Sequence, residues 1–192
     1  GPIFDLKKLE WLNGAWLRDL ELGDFTSRLL PYLQADGVLG DNPSLGELAR
    51  LKSVAELIQT RIALLTEASA LVRPFYTADA DLQIDEDARA GLKDNAGEVL
   101  DAAIGALEAL QVPAGVLSEE SRAGNEWHAE QIEATLREAI VDGMGIKPRF
   151  AFGPLRTAVS GARISPPLFE SMEILGQHST LARLRALRSS LG

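Results

Sequence analysis

Cysteine is absent from the 192 residues, and histidine occurs only twice. Without thiols there is no disulfide, zinc-thiolate cluster or thiol nucleophile, a composition that suits a reducing compartment, so a cytoplasmic protein is expected. Aromatic residues amount to 6%, and no run alternates β-branched or aromatic residues with polar ones, which removes the usual signature of a strand. No apolar run approaches the roughly 18 residues that a membrane-spanning helix needs, so no membrane span is expected. "GMGIKP" at 143–148 has two glycines but neither the third glycine nor the preceding strand of a dinucleotide loop, and no phosphate-binding P-loop occurs.

Catalytic groups are scarce as well. His128 opens an apolar stripe continued by Ile132 and Leu136, and it reads as a partly packed structural residue. His178, between Gly176 and the expected cap Ser179, reads as a solvent-facing loop residue. Neither has a carboxylate or second histidine at metal-ligand spacing. Asp85, Glu86 and Asp87 form an acidic cluster, but acids belong in the first turn of a helix, where they meet the positive end of its dipole. No catalytic residue and no metal site is expected.

What is present is apolar spacing of three and four, repeated along the chain, and it predicts an all-α protein. Gly1 and Pro2 read as a cloning scar. Asp5 is a candidate cap for a helix with Leu6, Leu9, Leu12 and Trp16 as its stripe, interrupted at Asn13-Gly14. Ser44 with Glu47 forms a capping box, predicting a helix of about five turns on which Leu48, Leu51, Ala55, Ile58, Ile62 and Leu65 face a core. A helix starting at Asp85 presents Leu92, Ala96, Val99, Ala103, Leu107 and Leu110, and a later one presents Ile132, Leu136, Ala139 and Ile140. Three short helices follow at 148–160, 166–175 and 179–190. Polar seams at 73–83 and 111–125 could divide domains. We expect two packed helical subdomains, 3–76 and 77–192, with no significant sheet.

The net charge of −9 conceals an asymmetry. Residues 147–192 hold seven Lys and Arg against Glu170 and Glu173, a local charge of +5, which leaves −14 for the first 146 residues. A chain that is acidic overall can therefore present one basic surface to a polyanion. The alternative for Arg183, Arg185 and Arg188 is that they complement the negative ends of helices.

Two features stand out from this background. Arg61 has Leu57, Ile58, Leu64 and Leu65 as its helical neighbours, and a charge among apolar groups must snorkel to water, pair with an acid such as Glu67, or meet a ligand. A planar fork of donors flanked by apolar groups suits the edge of an unstacked base. The second is "GARISPPLFESMEILG" at 161–176. Ser165 is a candidate N-cap, and Pro166 and Pro167 fit a first turn whose amides lack helical partners. The result is a stiff corner between Gly161 and a helix, beside Arg156 and Arg163. A plain helix-helix corner would look the same.

"FDLKKLEWLNG", "LIQTRIALLTEASALV" and "GIKPRFAFGPLRTAVSGARISPPLFESMEILG" resemble the C-terminal part of bacterial glutamyl-tRNA synthetase, a class I aminoacyl-tRNA synthetase. The likeness spans nearly the whole chain and is most specific over 145–176. It implies an entirely helical region that embraces the tRNA anticodon loop. By that resemblance Arg61 falls on the base-reading arginine, and Ser165, Pro166 and Leu168 fall on the anticodon-contacting turn; the turn varies in the family at Pro167. Lys147, Arg149, Arg156 and Arg163 are expected to contact the RNA backbone. The HIGH-like and KMSKS-like motifs of class I synthetases do not occur, so the chain should not aminoacylate by itself. ATP and Mg are expected only in the full-length enzyme, and the implied partners are tRNA-Glu and the N-terminal catalytic domain of the same polypeptide. The rival expectation is a helical interaction or scaffold module whose Arg61 is paired internally and whose basic tail binds an acidic protein.

Overall fold

A computed structural model describes residues 5–110 and 127–192, where it shows helices and turns and no strand. The polar seam at 111–125 and the residues read as a cloning scar lie outside the described residues. The chain divides into two compact units, one ending at Tyr76 and the other beginning at Thr77.

The first unit contains α1 (Leu6–Asp19), α2 (Leu22–Ala35), α3 (Leu45–Ile58) and the short α4 (Ala68–Val72). Asp5 caps α1 by accepting the Lys8 amide, and the Ser44–Glu47 capping box starts α3 as expected. The core is built largely on α2, whose Phe25, Leu29 and Leu33 are fully buried against Leu51, Val54, Ala55 and Ile58 of α3 and Ala68 and Val72 of α4.

Three expectations fail in this unit. Asn13-Gly14 does not interrupt α1, because Gly14 brings the helix against Ala63 and the Asn13 side-chain amide donates to the Ala63 carbonyl. Leu6, Leu9, Leu12 and Trp16 are exposed instead of facing a core. The helix from Ser44 also stops at Ile58. Beyond it the Gln59 side chain donates to the Leu17 and Leu20 carbonyls at 2.9 and 2.8 Å, and the Glu67 carboxylate accepts the Ala63 and Leu64 amides at 2.8 and 2.9 Å. These bonds satisfy polar groups that a continued helix would have used, so distant partners override the local periodicity. Ile62 is buried all the same.

The second unit contains α5 (Glu86–Ala90), α6 (Ala96–Glu108), α7 (Ala129–Leu136), α8 (Pro148–Ala151), α9 (Gly153–Ser160), α10 (Leu168–Leu175) and α11 (Gln177–Ser189). A π-helical turn over Arg137–Asp142 extends α7. The core joins Val99, Leu100, Ala103 and Leu107 of α6 to Ile132, Leu136, Leu155, Met172 and Leu184, so the apolar positions read from α6 and α7 do face inward. Trp127 is buried here, its indole N–H donating to the Met172 carbonyl at 3.0 Å.

Three expected helices are divided or shifted. The one expected from Asp85 breaks at 91–95, where Gly91 costs backbone entropy and Asp94-Asn95 favour turns and caps over a helix interior. The one expected over 148–160 breaks at Phe152, because Pro154 has no amide to offer the Phe150 carbonyl and its ring would crowd that oxygen. α10 begins at Leu168 with extended Pro167 as the residue before it, so Ser165 and Pro166 lie outside the helix and Ser165 is not its cap. Gly161 ends α9 with φ of +75°, and a Cβ there would stand 2.2 Å from the Gln83 carbonyl oxygen. Both the left-handed backbone and the close approach require glycine. Through its carbonyl, which accepts the Asp85 amide at 2.7 Å, this residue pins the corner to the segment leading into α5.

A buried ion pair fastens the start of this unit to its last helix. Arg183, 3% exposed, donates from Nε to Asp79 at 2.6 Å, from Nη1 to the Val159 carbonyl at 2.8 Å and from Nη2 to the Thr77 carbonyl at 3.0 Å. Burial by itself would raise the Asp79 carboxyl, but hydrogen bonds from Ser179 and Arg183, with the charge of Arg183, outweigh it and hold the carboxyl below its ordinary 3.8. Ser179 is thus a partner of Asp79 rather than a helix cap, and His178 sits exposed in the first turn of α11 rather than in a loop. His128 is exposed too, and caps α7 by accepting the Gln131 amide instead of packing into the core.

Candidate nucleic-acid interface

The two breaks in the second unit create its most distinctive surface. Where α5 gives way to α6, and α8 to α9, a cleft of about 240 Å³ opens. Its lining includes Lys93 and Asn95 from the first break, Arg149, Phe150, Arg156 and Thr157 from α8 and α9, and Arg163 from the corner. Four cations line it and no acidic side chain does, in a chain of net charge −9. Among the described residues the Arg163 side chain makes no hydrogen bond or ion pair. Phe150 is 54% exposed, and the Arg149 guanidinium lies over its ring at 4.4 Å from the centroid. The ring of Phe152 packs edge-on against Phe169 at 5.2 Å, which anchors the α8–α9 break to α10. Cationic groups beside an exposed aromatic face are the elements with which single-stranded nucleic acid is held, through phosphate charge and base stacking. The cleft falls below the roughly 300–1,000 Å³ of enclosed small-molecule pockets.

Of the residues singled out from the sequence, Arg149, Arg156 and Arg163 meet at this cleft. Lys147 stands exposed just before α8 and is not part of the lining. Ser165, Pro166 and Leu168 follow Arg163 along the corner without lining the cleft; Pro166 and Leu168 are buried and Ser165 is half-buried. Leu168 belongs to the core, so its side chain is committed to packing. The amides of Arg163, Ile164 and Ser165 donate to no described residue, which leaves the corner backbone open to an outside partner.

Arg61 belongs to the first unit. It lies in the turn after α3, not on a helix face, and its side chain is exposed, so no desolvation penalty attaches to it. Glu67, the acid that might have paired with it, is engaged by the Ala63 and Leu64 amides, and Arg61 makes no ion pair with a described residue. Its backbone is held by the Ile58 carbonyl at 2.8 Å while its donors are left free.

The basic tail turns out to be internally neutralised. Arg183 pairs with Asp79, Arg185 with Glu108 at 2.5 Å and Arg188 with Asp101 at 2.8 Å. Arg183 and Arg188 also serve helix ends as expected, donating to the Val159 carbonyl in the last turn of α9 at 2.8 Å and to the Gly192 carbonyl after α11 at 3.1 Å, and none of the three is an unpaired cation that a basic tail would offer to an acidic protein. Lys93 and Phe150 escaped the sequence reading, since one sits in a break that periodicity had bridged and the other looked like an ordinary apolar residue. The pair Arg149-Phe150, a cation beside an aromatic directly after Pro148, was the signal available. Among the described residues no cluster of three or more His, Asp or Glu could hold a metal, and no helix is long and apolar enough to cross a membrane.

Fold and cleft together define a helical module with a cationic, aromatic-edged face. The chain matches the model of the anticodon binding domain over residues 24–188 and belongs to that family. It is 50% identical to the glutamate–tRNA ligase of Kineococcus radiotolerans over 98% of this chain and 35% of that protein, and 49% identical to that of Arthrobacter sp. (strain FB24) over 96% and 34%. It thus spans about a third of the length of the curated relatives it matches. A crystal structure of a glutamate tRNA ligase from Elizabethkingia meningosepticum shares the fold with a TM-score of 0.74 at 16% identity, over 100% of this chain and 34% of that one.

Proposed function

We propose that this chain is the anticodon-reading part of a cytoplasmic glutamate–tRNA ligase, its two units being two anticodon-binding subdomains. The observation that carries this reading is the acid-free cleft of Lys93, Arg149, Arg156 and Arg163 beside exposed Phe150. The cations take the phosphates of a tRNA-Glu anticodon loop, with Lys147 adding a contact outside the cleft. The open corner amides and the Ser165 hydroxyl offer hydrogen bonds to a nucleotide, while buried Pro166 and Leu168 hold the corner rigid. Arg61 donates to the edge of a splayed base of the same loop, an assignment supported by its free donors on a fixed backbone. Attaching glutamate, with ATP and Mg, falls to the catalytic half of the parent polypeptide.

Titration with a tRNA-Glu anticodon stem-loop and with versions altered at single anticodon bases tests this. The native loop is expected to bind tighter than the altered ones. Equal binding of all loops, or none at low salt, refutes the reading. Arg61→Gln is expected to flatten base discrimination more than it weakens binding, whereas Arg163→Ala lowers affinity for every loop alike.

A further inference from the structure

The cleft of the second unit holds two neutral polar groups that phosphate binding does not use. Thr157 is 5% exposed, yet it lines the cleft next to Arg156. A serine or threonine inside a helix can satisfy its hydroxyl on the carbonyl four residues earlier, as Ser160 does on the Arg156 carbonyl at 2.9 Å within the same α9. The Thr157 hydroxyl makes no such bond to Gly153, nor any hydrogen bond to another described residue. Among the described residues only the Ser69 hydroxyl is both unpartnered and sealed, so that of Thr157 can be reached, and the cleft is the opening Thr157 lines. Asn95 repeats the pattern on the other break. It stands directly before α6, where asparagine ordinarily caps, but its side chain does not cap the helix and bonds to no described residue.

A buried polar group left without a partner in a native fold calls for an explanation. A hydroxyl turns to donate or to accept, so it bonds any base edge with little discrimination. It suits instead a group that every ribonucleotide carries in the same place and that also donates and accepts, the ribose 2′-hydroxyl. The surroundings favour the same occupant. Arg149, Arg156 and Arg163 share the cleft with Thr157, and the exposed Phe150 ring offers a stacking face. With phosphates on the cations and a base on the ring, the part of the strand left to meet the neutral groups is the sugar. We infer that the Thr157 hydroxyl, assisted by the Asn95 amide, binds one ribose 2′-hydroxyl, so that the cleft distinguishes RNA from DNA. The inference rests on the RNA-binding reading proposed above.

The test is a deoxy scan: the tRNA-Glu anticodon stem-loop is titrated against the 192-residue chain as all-ribose RNA and with a single 2′-deoxy nucleotide at each loop position in turn. One position is expected to cost about tenfold in affinity. Thr157→Val, which keeps the shape and removes the hydroxyl, should bind the all-ribose loop about tenfold more weakly and show no further loss at that position. Thr157→Ser should restore the wild-type pattern, and the salt slope should be the same for all three proteins, since no phosphate contact changes. Any effect of the deoxy sugar on the loop itself is common to the three proteins and cancels in the comparison. A flat scan with the unaltered chain, which needs no variant to fold, overturns the inference. So does a deoxy penalty that Thr157→Val retains in full. A flat scan from a chain that still prefers the native anticodon bases counts against the ribose contact alone, whereas a chain that binds no loop sinks the RNA-binding reading beneath it.

Discussion

The salt dependence of RNA binding is the sharpest test of the cleft. Lys93, Arg149, Arg156 and Arg163 line it and no acidic residue is part of the lining, so a single-stranded loop can place up to four phosphates there. At a logarithmic slope of about −0.7 per phosphate, four contacts give about −2.8, and raising salt from about 50 to about 200 mM weakens binding roughly 50-fold. Removing one contact by Arg163→Ala brings the slope to about −2.1 and the same salt step to roughly 18-fold. Arg185→Ala serves as the control, because Arg185 already faces Glu108 and stands outside the cleft. Fluorescence anisotropy of a labelled anticodon stem-loop at several salt concentrations reads both slopes. The reasoning is refuted if Arg163→Ala leaves the slope unchanged, or if Arg185→Ala lowers it equally.

Arg183→Met should destabilise the second unit by about 3–5 kcal/mol in denaturant titration, because it strands the Asp79 carboxylate and two backbone carbonyls. Since the Asp79 carboxyl is held below 3.8 in the fold, its pairing contributes fully above that value and is lost as pH falls through the lowered one; an acid melting series should show a loss that Asp79→Asn abolishes. The Ser69 hydroxyl is buried with no hydrogen-bond partner among the described residues, so Ser69→Ala should be neutral or stabilising by up to about 1 kcal/mol. A clear loss of stability in thermal melts would contradict this. Tyr76, raised to about 12 by burial, donates its hydroxyl to the Glu47 carbonyl at 2.7 Å. Its contribution is complete below pH 10 and declines as pH rises toward 12, and a spectrophotometric titration should find one of the two tyrosines ionising late.

Much of the fold was legible because its causes are local. Spacing of three and four marks Val99, Ala103, Leu107, Ile132 and Leu136 as core, and all of them are buried. Ser44 and Glu47 bond each other three residues apart, as Asp5 does with Lys8. The candidate site was legible in part: Arg149, Arg156 and Arg163 stood out as unbalanced charge and do share a cleft. Lys93 did not, because a helix drawn through 91–95 carries it away from any site. Ser165 was assigned a cap that the structure withholds, since two prolines in succession continue an extended segment as readily as they open a helix.

The amino-acid sequence by itself determined that this protein is helical and where α1 and α3 begin, since caps and apolar periodicity act within a turn or two of chain. Tertiary structure decided where helices stop, which apolar faces are covered and which cations remain free. Gln59 ends one element by reaching carbonyls about forty residues away, and Asp79 neutralises an arginine 104 positions along the chain. Partners that remote leave no periodic trace, so the difference between Arg183, locked in the core, and Arg163, open to a ligand, exists only once the chain has folded.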